Sequence, residues 1–142
     1  FGVQYAITYF YNVYGRREIK HGKYATLISL FAEKMKNGEP LPIVSPGSQK
    51  RNFTYIDDVV DALLRVGDKG FGDEFGIGSK NSYTIYEVAD LFGGDIEILP
   101  ARKGNRMSAE VITKNTEDLG WEPKNELIDY VNELKNNGWI NK

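Results

Sequence analysis

No cysteine occurs in the 142 residues, which excludes a disulfide framework and thiolate metal sites. Histidine is nearly absent too. The single His21 sits in a basic stretch without clustered ligands and reads as a solvated loop residue, so no metal site is expected. No run approaches the roughly 20 apolar residues of a membrane helix, and no charged-then-apolar leader opens the chain. Neither sign of charge dominates: 18 Lys and Arg face 20 Asp and Glu, a formal net charge of −2. That balance offers no broad footprint for nucleic acid or an anionic membrane, and any bound anion must be held locally. The expectation is a cytoplasmic protein with neither as a partner.

Two catalytic signatures are missing as well. No Tyr-x-x-x-Lys pair occurs, so the chain offers no tyrosinate base primed by a nearby ammonium. The Gly-punctuated stretch Phe71–Gly78, with Gly70, Gly72, Gly76 and Gly78, lacks the spacing and the following helix of a dinucleotide fingerprint, and reads as a strand.

What is present is the mix of a globular domain, 41% hydrophobic and 27% charged. The chain starts without Met, inside the apolar stretch Phe1–Tyr11, and this reads as a piece of a longer protein. Residues 3–11, rich in β-branched and aromatic types, predict a strand ending at Asn12-Val-Tyr-Gly15. Deprived of sheet neighbours, such a strand would be an apolar edge, expected to rearrange or to pair between molecules.

Apolar positions Tyr24, Leu27, Ile28, Phe31 and Met35 predict an amphipathic helix stopped by Gly38. A short extended piece, Leu41–Val44, and a Ser45-Pro-Gly-Ser48 turn follow. A strand is expected over 52–56, then a helix capped by Asp57 or Asp58, with Val59, Val60, Leu63, Leu64 and Val66 inward. Thr84 and Glu87 form a capping box for a helix ending at Gly93, and Asp95–Leu99 alternates as a strand. A short helix over 113–119, the stop Gly120-Trp-Glu-Pro123 and a last helix through Leu127, Tyr130, Val131 and Leu134 complete the chain. The predicted class is α/β: a small mixed domain with short strands and about five helices.

Asn12, Arg16, Arg17, Lys23, Lys50, Arg51, Arg102, Lys103 and Arg106 put cations and amides in the loops. Individually these are ordinary surface groups. Asn12 ends a strand, however, Arg51 precedes one, and Arg102 lies in a loop just after another. Strand-end loops converge in α/β proteins, and guanidinium forks match phosphate oxygens, so a diphosphate site is plausible from chemistry alone.

Seven ordered pieces carry a resemblance: Tyr9-Phe-Tyr-Asn-Val-Tyr-Gly15, Gly22-Lys-Tyr-Ala-Thr26, Leu41-Pro-Ile-Val44, Gln49–Asp58, Phe75-Gly-Ile-Gly78, Arg102-Lys-Gly104 and Leu119-Gly-Trp-Glu-Pro123. Together they resemble the extended short-chain dehydrogenase/reductase family, especially UDP-glucose 4-epimerase and related nucleotide-sugar enzymes. The resemblance implies that Asn12 contacts the substrate diphosphate and that Tyr11 lies near the nicotinamide of NAD. It also implies that Lys23 and Tyr24 line the sugar-nucleotide pocket, that Pro42 and Val44 flank the base, and that Arg51 and Arg102 clamp the phosphates. Asn105 falls where the family often has an Asp that holds a ribose hydroxyl.

In that family the Gly-rich NAD turn and the catalytic Tyr and Lys precede the point where this chain begins. The resemblance therefore implies that residues 1–15 are the last part of a Rossmann-type dinucleotide-binding sheet whose remainder is missing, and that 16–142 form a nucleotide-sugar-binding domain. No catalytic residue is expected in this chain. NAD would be bound mainly by the upstream domain, with a UDP-sugar as substrate and a homodimer as the parent's assembly. The implied chemistry is 4-epimerisation through a transient 4-keto sugar; a dehydratase or reductase of the same family, or a stand-alone nucleotide-binding module, is the alternative. Arg16 stands where the family commonly has Pro, and Arg106 follows Asn105; the exact sugar nucleotide stays open.

Overall fold

The structure is a computed structural model describing residues 2–104 and 106–140. Its first strand, β1 (Ala6–Phe10), is shorter than the predicted 3–11, and Val3 and Tyr5 lie exposed before it. β1 has one hydrogen-bonded neighbour, β6 (Gly72–Ile77), which runs parallel to it in the register Thr8↔Phe75, Tyr9↔Gly76 and Phe10↔Ile77. The strand is thus not rearranged. With one partner only, Ile7, Tyr9 and Phe10 remain exposed.

Three more strand pairs follow. β2 (Val13–Tyr14) runs parallel to β5 (Thr54–Tyr55), β3 (Leu41–Val44) parallel to β8 (Ile96–Leu99), and β4 (Lys50–Asn52) antiparallel to β7 (Ser82–Thr84). The single strand expected over 52–56 is therefore two. The chain changes partner at Phe53, from β7 to β2, because Phe53 turns into the core while Asn52 donates from Nδ2 to the carbonyls of Ser79 and Lys80 at 3.0 and 3.2 Å.

Five helices occur among the described residues: α1 (Leu27–Asn37), α2 (Ile56–Lys69), α3 (Ile85–Phe92), α4 (Lys114–Glu117) and α5 (Leu127–Asn136). Gly38 and Gly93 end α1 and α3 at φ 67° and 75°, a left-handed region in which a side chain is disfavoured. The capping box forms as the spacing predicts: the Thr84 hydroxyl accepts from the Glu87 amide at 3.1 Å, and Glu87 Oε2 accepts from the Thr84 amide at 2.6 Å.

α2 departs from expectation twice. Tyr55 occupies the cap position and no side chain caps the helix; Asp57 pairs with Arg16 at 3.4 Å, while Asp58 turns inward. Asp58 accepts from the backbone and side-chain nitrogens of Asn125 at 3.0 and 2.8 Å, and its carbonyl accepts from the Trp121 indole at 2.9 Å. The buried face is Val59, Ala62 and Val66, whereas Val60, Leu63 and Leu64 open to solvent. Inward positions at i, i+3 and i+7 leave the other apolar flank without a neighbour.

The main core gathers Phe31, Leu41, Ile43, Val88, Phe92, Val131 and Leu134 between α1, β3, α3 and α5. Beside it Tyr14, Tyr55 and Tyr130 form a triangle with ring centroids 5.4 to 5.5 Å apart. The Tyr14 and Tyr130 hydroxyls are buried without a hydrogen-bond partner, and burial pushes both pKa values far up, so both stay neutral. A smaller cluster of Val59, Ala62, Ile77 and Trp121, with Val13 against it, ties α2 to β6 and the 119–125 segment.

Asp58→Ala removes a buried charged acceptor and leaves Asn125 unpaired, a loss of about 1.5–3 kcal/mol in urea unfolding. Asp57→Ala, which breaks only an exposed ion pair, leaves the midpoint nearly unchanged. Equal effects from the two would contradict the inward role of Asp58.

Candidate functional site

Three turns are knotted together where β1 hands over to β2. Asn12 sits at φ 37°, unusual for a residue with a side chain. Its Nδ2 donates to the Asn52 carbonyl at 2.9 Å, and its carbonyl accepts from the Thr54 amide at 3.3 Å. The Thr54 hydroxyl donates to the Tyr11 carbonyl at 3.1 Å and accepts from the Ser79 amide at 3.1 Å. Thr54 is buried and cannot trade these bonds for water, so the ends of β1, β4 and β6 hold one another. Tyr11, Asn12 and Arg51 project from this knot.

Three cavities adjoin along it. One of about 460 Å³ is lined by Ala25, Leu27, Pro42, Val44, Gln49 and Arg102 among others. A second, of about 270 Å³, shares Leu27 with the first and adds Asn12, Glu18, Thr26, Arg51 and Phe53. The third, of about 880 Å³, shares Asn12 and Arg51 with the second and adds Tyr9, Tyr11, Arg106 and Glu110. Shared walls make these successive stations of one groove.

Of the residues singled out from sequence, Tyr11, Asn12 and Arg51 meet in the third cavity, and Pro42, Val44 and Arg102 in the first. Lys23 and Tyr24 line none of the three; both are exposed, with the Lys23 ammonium 4.9 Å from the Tyr24 ring centre. Asn105 lies outside the described residues. Among these residues no group of His, Cys, Asp or Glu could hold a metal ion, and no helix is long and apolar enough to cross a membrane.

The groove also has residues that sequence reasoning did not select: Glu18, Gln49 and Arg106. Arg106 had been noted only as a departure from a motif. Burial and then the Arg106 charge lower the Arg51 pKa, yet a guanidinium remains a cation at neutral pH. Two guanidinium groups beside one cavity suit an anion. Burial likewise pushes the Glu18 carboxyl up to about 7, partly offset by the Thr26 hydroxyl. Nothing in the sequence around Glu18 signals that burial, because it comes from α1 and α5 folding over it.

The Gly-rich stretch has a packing explanation. A Cβ on Gly76 would stand 1.7 Å from the Ile112 carbonyl oxygen, and one on Gly78 would stand 2.6 Å from the Tyr11 ring. β6 leads into β7 rather than a helix, and its glycines are closed off by protein. This stretch therefore does not fit a dinucleotide pyrophosphate, which needs open backbone amides at a helix start.

Residues 1–78, more than half the chain, match the model of the NAD dependent epimerase/dehydratase family. The chain is 35% identical over 137 residues to a UDP-glucuronic acid decarboxylase of Arabidopsis thaliana, covering 89% of this chain and 38% of that protein. To a UDP-glucose 4-epimerase of Mycolicibacterium smegmatis it is 33% identical over 126 residues, covering 83% and 40%. Its fold matches the structure of Thermotoga maritima UDP-glucose 4-epimerase with UDP-glucose at a TM-score of 0.85 and 31% identity, over 92% of this chain and 44% of that one. A dTDP-glucose 4,6-dehydratase of Streptomyces venezuelae matches at 0.77 and 26% identity, over 94% and 45%. The chain thus spans less than half the length of these relatives.

Gly76→Ala drives a methyl into the Ile112 carbonyl and is expected to cost about 1–3 kcal/mol while displacing the 108–112 wall of the third cavity. Gly67→Ala, inside α2 with nothing within 4 Å, is expected to raise stability by up to about 1 kcal/mol. Thermal unfolding of the two variants checks the pair; a neutral Gly76→Ala would contradict the close packing.

Proposed function

Since the chain belongs to the NAD dependent epimerase/dehydratase family, we propose that it is the nucleotide-sugar-binding portion of an NAD-dependent enzyme, with UDP-glucose 4-epimerase chemistry the favoured reading. The carrying observation is the order of the groove. Asn12 and Arg51 border the middle and last cavities, Arg102 with Pro42 and Val44 borders the first, and Leu27 joins first to middle. A nucleotide base fits between Pro42, Val44 and Gln49, the diphosphate lies by Asn12 with Arg102 and Arg51 on its flanks, and the sugar extends toward Tyr11.

This arrangement suits a sugar that is oxidised at C4 and then reduced from its other face. Such a sugar must turn over within the site, so it has to be held loosely and the affinity has to come from the nucleotide diphosphate. Guanidinium groups supply that affinity with bidentate bonds to phosphate oxygens. NAD, which accepts and returns the hydride in this chemistry, would be held by the portion that the longer relatives have beyond this chain; Tyr11 is the one residue here that would face it. Residues 1–15 are then the last part of that dinucleotide-binding sheet and 16–142 the substrate domain, although β6 and α2 also pack on β1. The exposed apolar residues Ile7, Tyr9, Phe10, Leu64 and Phe71 suit the covering role of that sheet.

On its own the chain, which has no Tyr-x-x-x-Lys pair, would bind a nucleotide sugar and not convert it. Epimerase, dehydratase and decarboxylase relatives share a need for the diphosphate anchor, and the likeness to a decarboxylase and a dehydratase keeps those chemistries as the second reading. Calorimetry with UDP-glucose, dTDP-glucose and GDP-mannose tests the proposal. Binding of at least one sugar nucleotide is expected, and Arg51→Ala and Arg102→Ala should each weaken it by roughly tenfold or more, the worth of a charged hydrogen bond. Unchanged affinity in both variants, or no binding by the wild type, would contradict the proposal.

A further inference from the structure

A row of oxygens runs from the 16–26 loop into the start of α1. Thr26 Oγ1 lies 2.8 Å from Glu18 Oε1 and 2.8 Å from Ser29 Oγ, and Ser29 Oγ lies 2.7 Å from the Ile19 carbonyl. Each of the three contacts needs one proton between its oxygens. The two hydroxyls supply two. Ser29 can also turn to the Thr26 carbonyl at 3.2 Å, but that leaves its contact with Thr26 Oγ1 equally in want of a proton. A third proton, carried by the carboxyl, completes a directed row: Glu18 donates to Thr26, Thr26 to Ser29, and Ser29 to Ile19.

We propose that Glu18 is a positioning residue of the nucleotide-sugar groove, holding a proton that locks the 16–26 loop onto α1 and fixes the wall formed by Thr26, Leu27 and Ile28. The groove's ligand is taken from the reading above; the protonated lock itself does not depend on it. Ionised, Glu18 draws the Thr26 proton to itself, Ser29 must then turn back to Thr26, and the Ser29 bond to Ile19 is lost. The loop keeps only the Thr26 amide on that carbonyl, at 3.2 Å. The wall bears on substrate because Leu27 borders both the base-end and the middle cavities.

Charges around Glu18 agree with this assignment. Its Oε2 is buried with no hydrogen-bond partner among the described residues, a costly place for a carboxylate and a cheaper one for a carboxyl carbonyl. From β4, Arg51 borders the same cavity and favours the ionised form, but it lies where the diphosphate is to bind. From α5, the neutral Tyr130 hydroxyl senses the Glu18 charge, with Glu133 and Arg16 acting on it more weakly. α1 contributes Thr26 at its cap and Ser29, and α3 contributes Ile85, none of them charged. A carboxyl titrating at about 7 is then poised to take up a proton when an anion enters beside it. The folded chain also keeps a proton that the unfolded chain releases at the usual glutamate pKa, so stability declines as pH rises toward 7 and levels off above it.

The test follows carboxyl carbon resonances of the whole chain against pH, with Glu18→Gln to assign the signal, and measures UDP-glucose affinity at about pH 6 and about pH 8. UDP-glucose carries no phosphate proton that titrates in this interval. One carboxyl titrating near neutrality, absent in Glu18→Gln, is expected, together with affinity on the order of tenfold weaker at the higher pH in the wild type. Glu18→Gln, whose amide can still donate to Thr26, should bind equally at both, and Glu18→Ala should bind weakly at both. A Glu18 signal titrating in the ordinary acidic range overturns the lock whether or not any nucleotide binds. A neutral titration with pH-independent binding overturns the link to the groove. Absence of UDP-glucose binding at either pH tells against the nucleotide-sugar reading and removes that link with it, while the resonance still decides the lock.

Discussion

The groove depends on the hydrogen-bonded knot of Asn12, Asn52 and Thr54. Four turns of backbone, at residues 11–12, 52–54, 79–81 and indirectly 111–112, come together through these side chains and the Tyr11 hydroxyl, which accepts from the Ile112 amide at 3.3 Å. Each short strand has few ladder bonds of its own, and β2 and β5 have only two residues each. Polar side chains that cannot reach water hold what the ladders cannot. Because Asn12 and Arg51 emerge from the knot itself, the side chains assigned to the diphosphate inherit its rigidity and need little ordering when a ligand arrives.

The rest of the domain supports that knot from two sides. α1, α3 and α5 pack a large apolar core under β3 and the tyrosine triangle, which fixes the first cavity's Pro42 and Val44 wall. Asp58 and Trp121 fasten the carboxyl-terminal segment to α2, behind β6. The apolar surface left open is concentrated on β1, the outer flank of α2 and Phe71, away from the closed core. A substrate-anchoring half with a rigid groove and one uncovered sheet edge fits a protein whose chemistry is completed by another portion of the chain.

Local signals were legible in the sequence and long-range ones much less so. The Thr84–Glu87 capping box, the left-handed stops at Gly38 and Gly93, and the inward set Leu27, Leu127, Tyr130, Val131 and Leu134 depend on residues within a few positions of each other. β7 and the break at Phe53 do not, since they arise from pairing between segments some thirty residues apart. The reading of Asp57 and Asp58 as caps failed for the same reason: a carboxylate at a helix start is ambiguous until its partner, Asn125, is in view. In the groove, Asn12, Arg51 and Arg102 were found through ordered motifs, while Glu18 was missed because its character comes wholly from burial by other elements. Lys23 and Tyr24 were selected by their place along the chain, and their side chains stand outside the three cavities.

Amide resonance mapping of the chain with UDP-glucose would decide whether the three cavities act as one groove. Shifts clustered at Val44 and Gln49, at Asn12 and Arg51, and at Tyr11, saturating together at one affinity, are the expected result. Shifts confined to the separate cleft of about 710 Å³ lined by Lys80, Asn81 and Glu122, or confined to one cavity while the others stay silent, would contradict it.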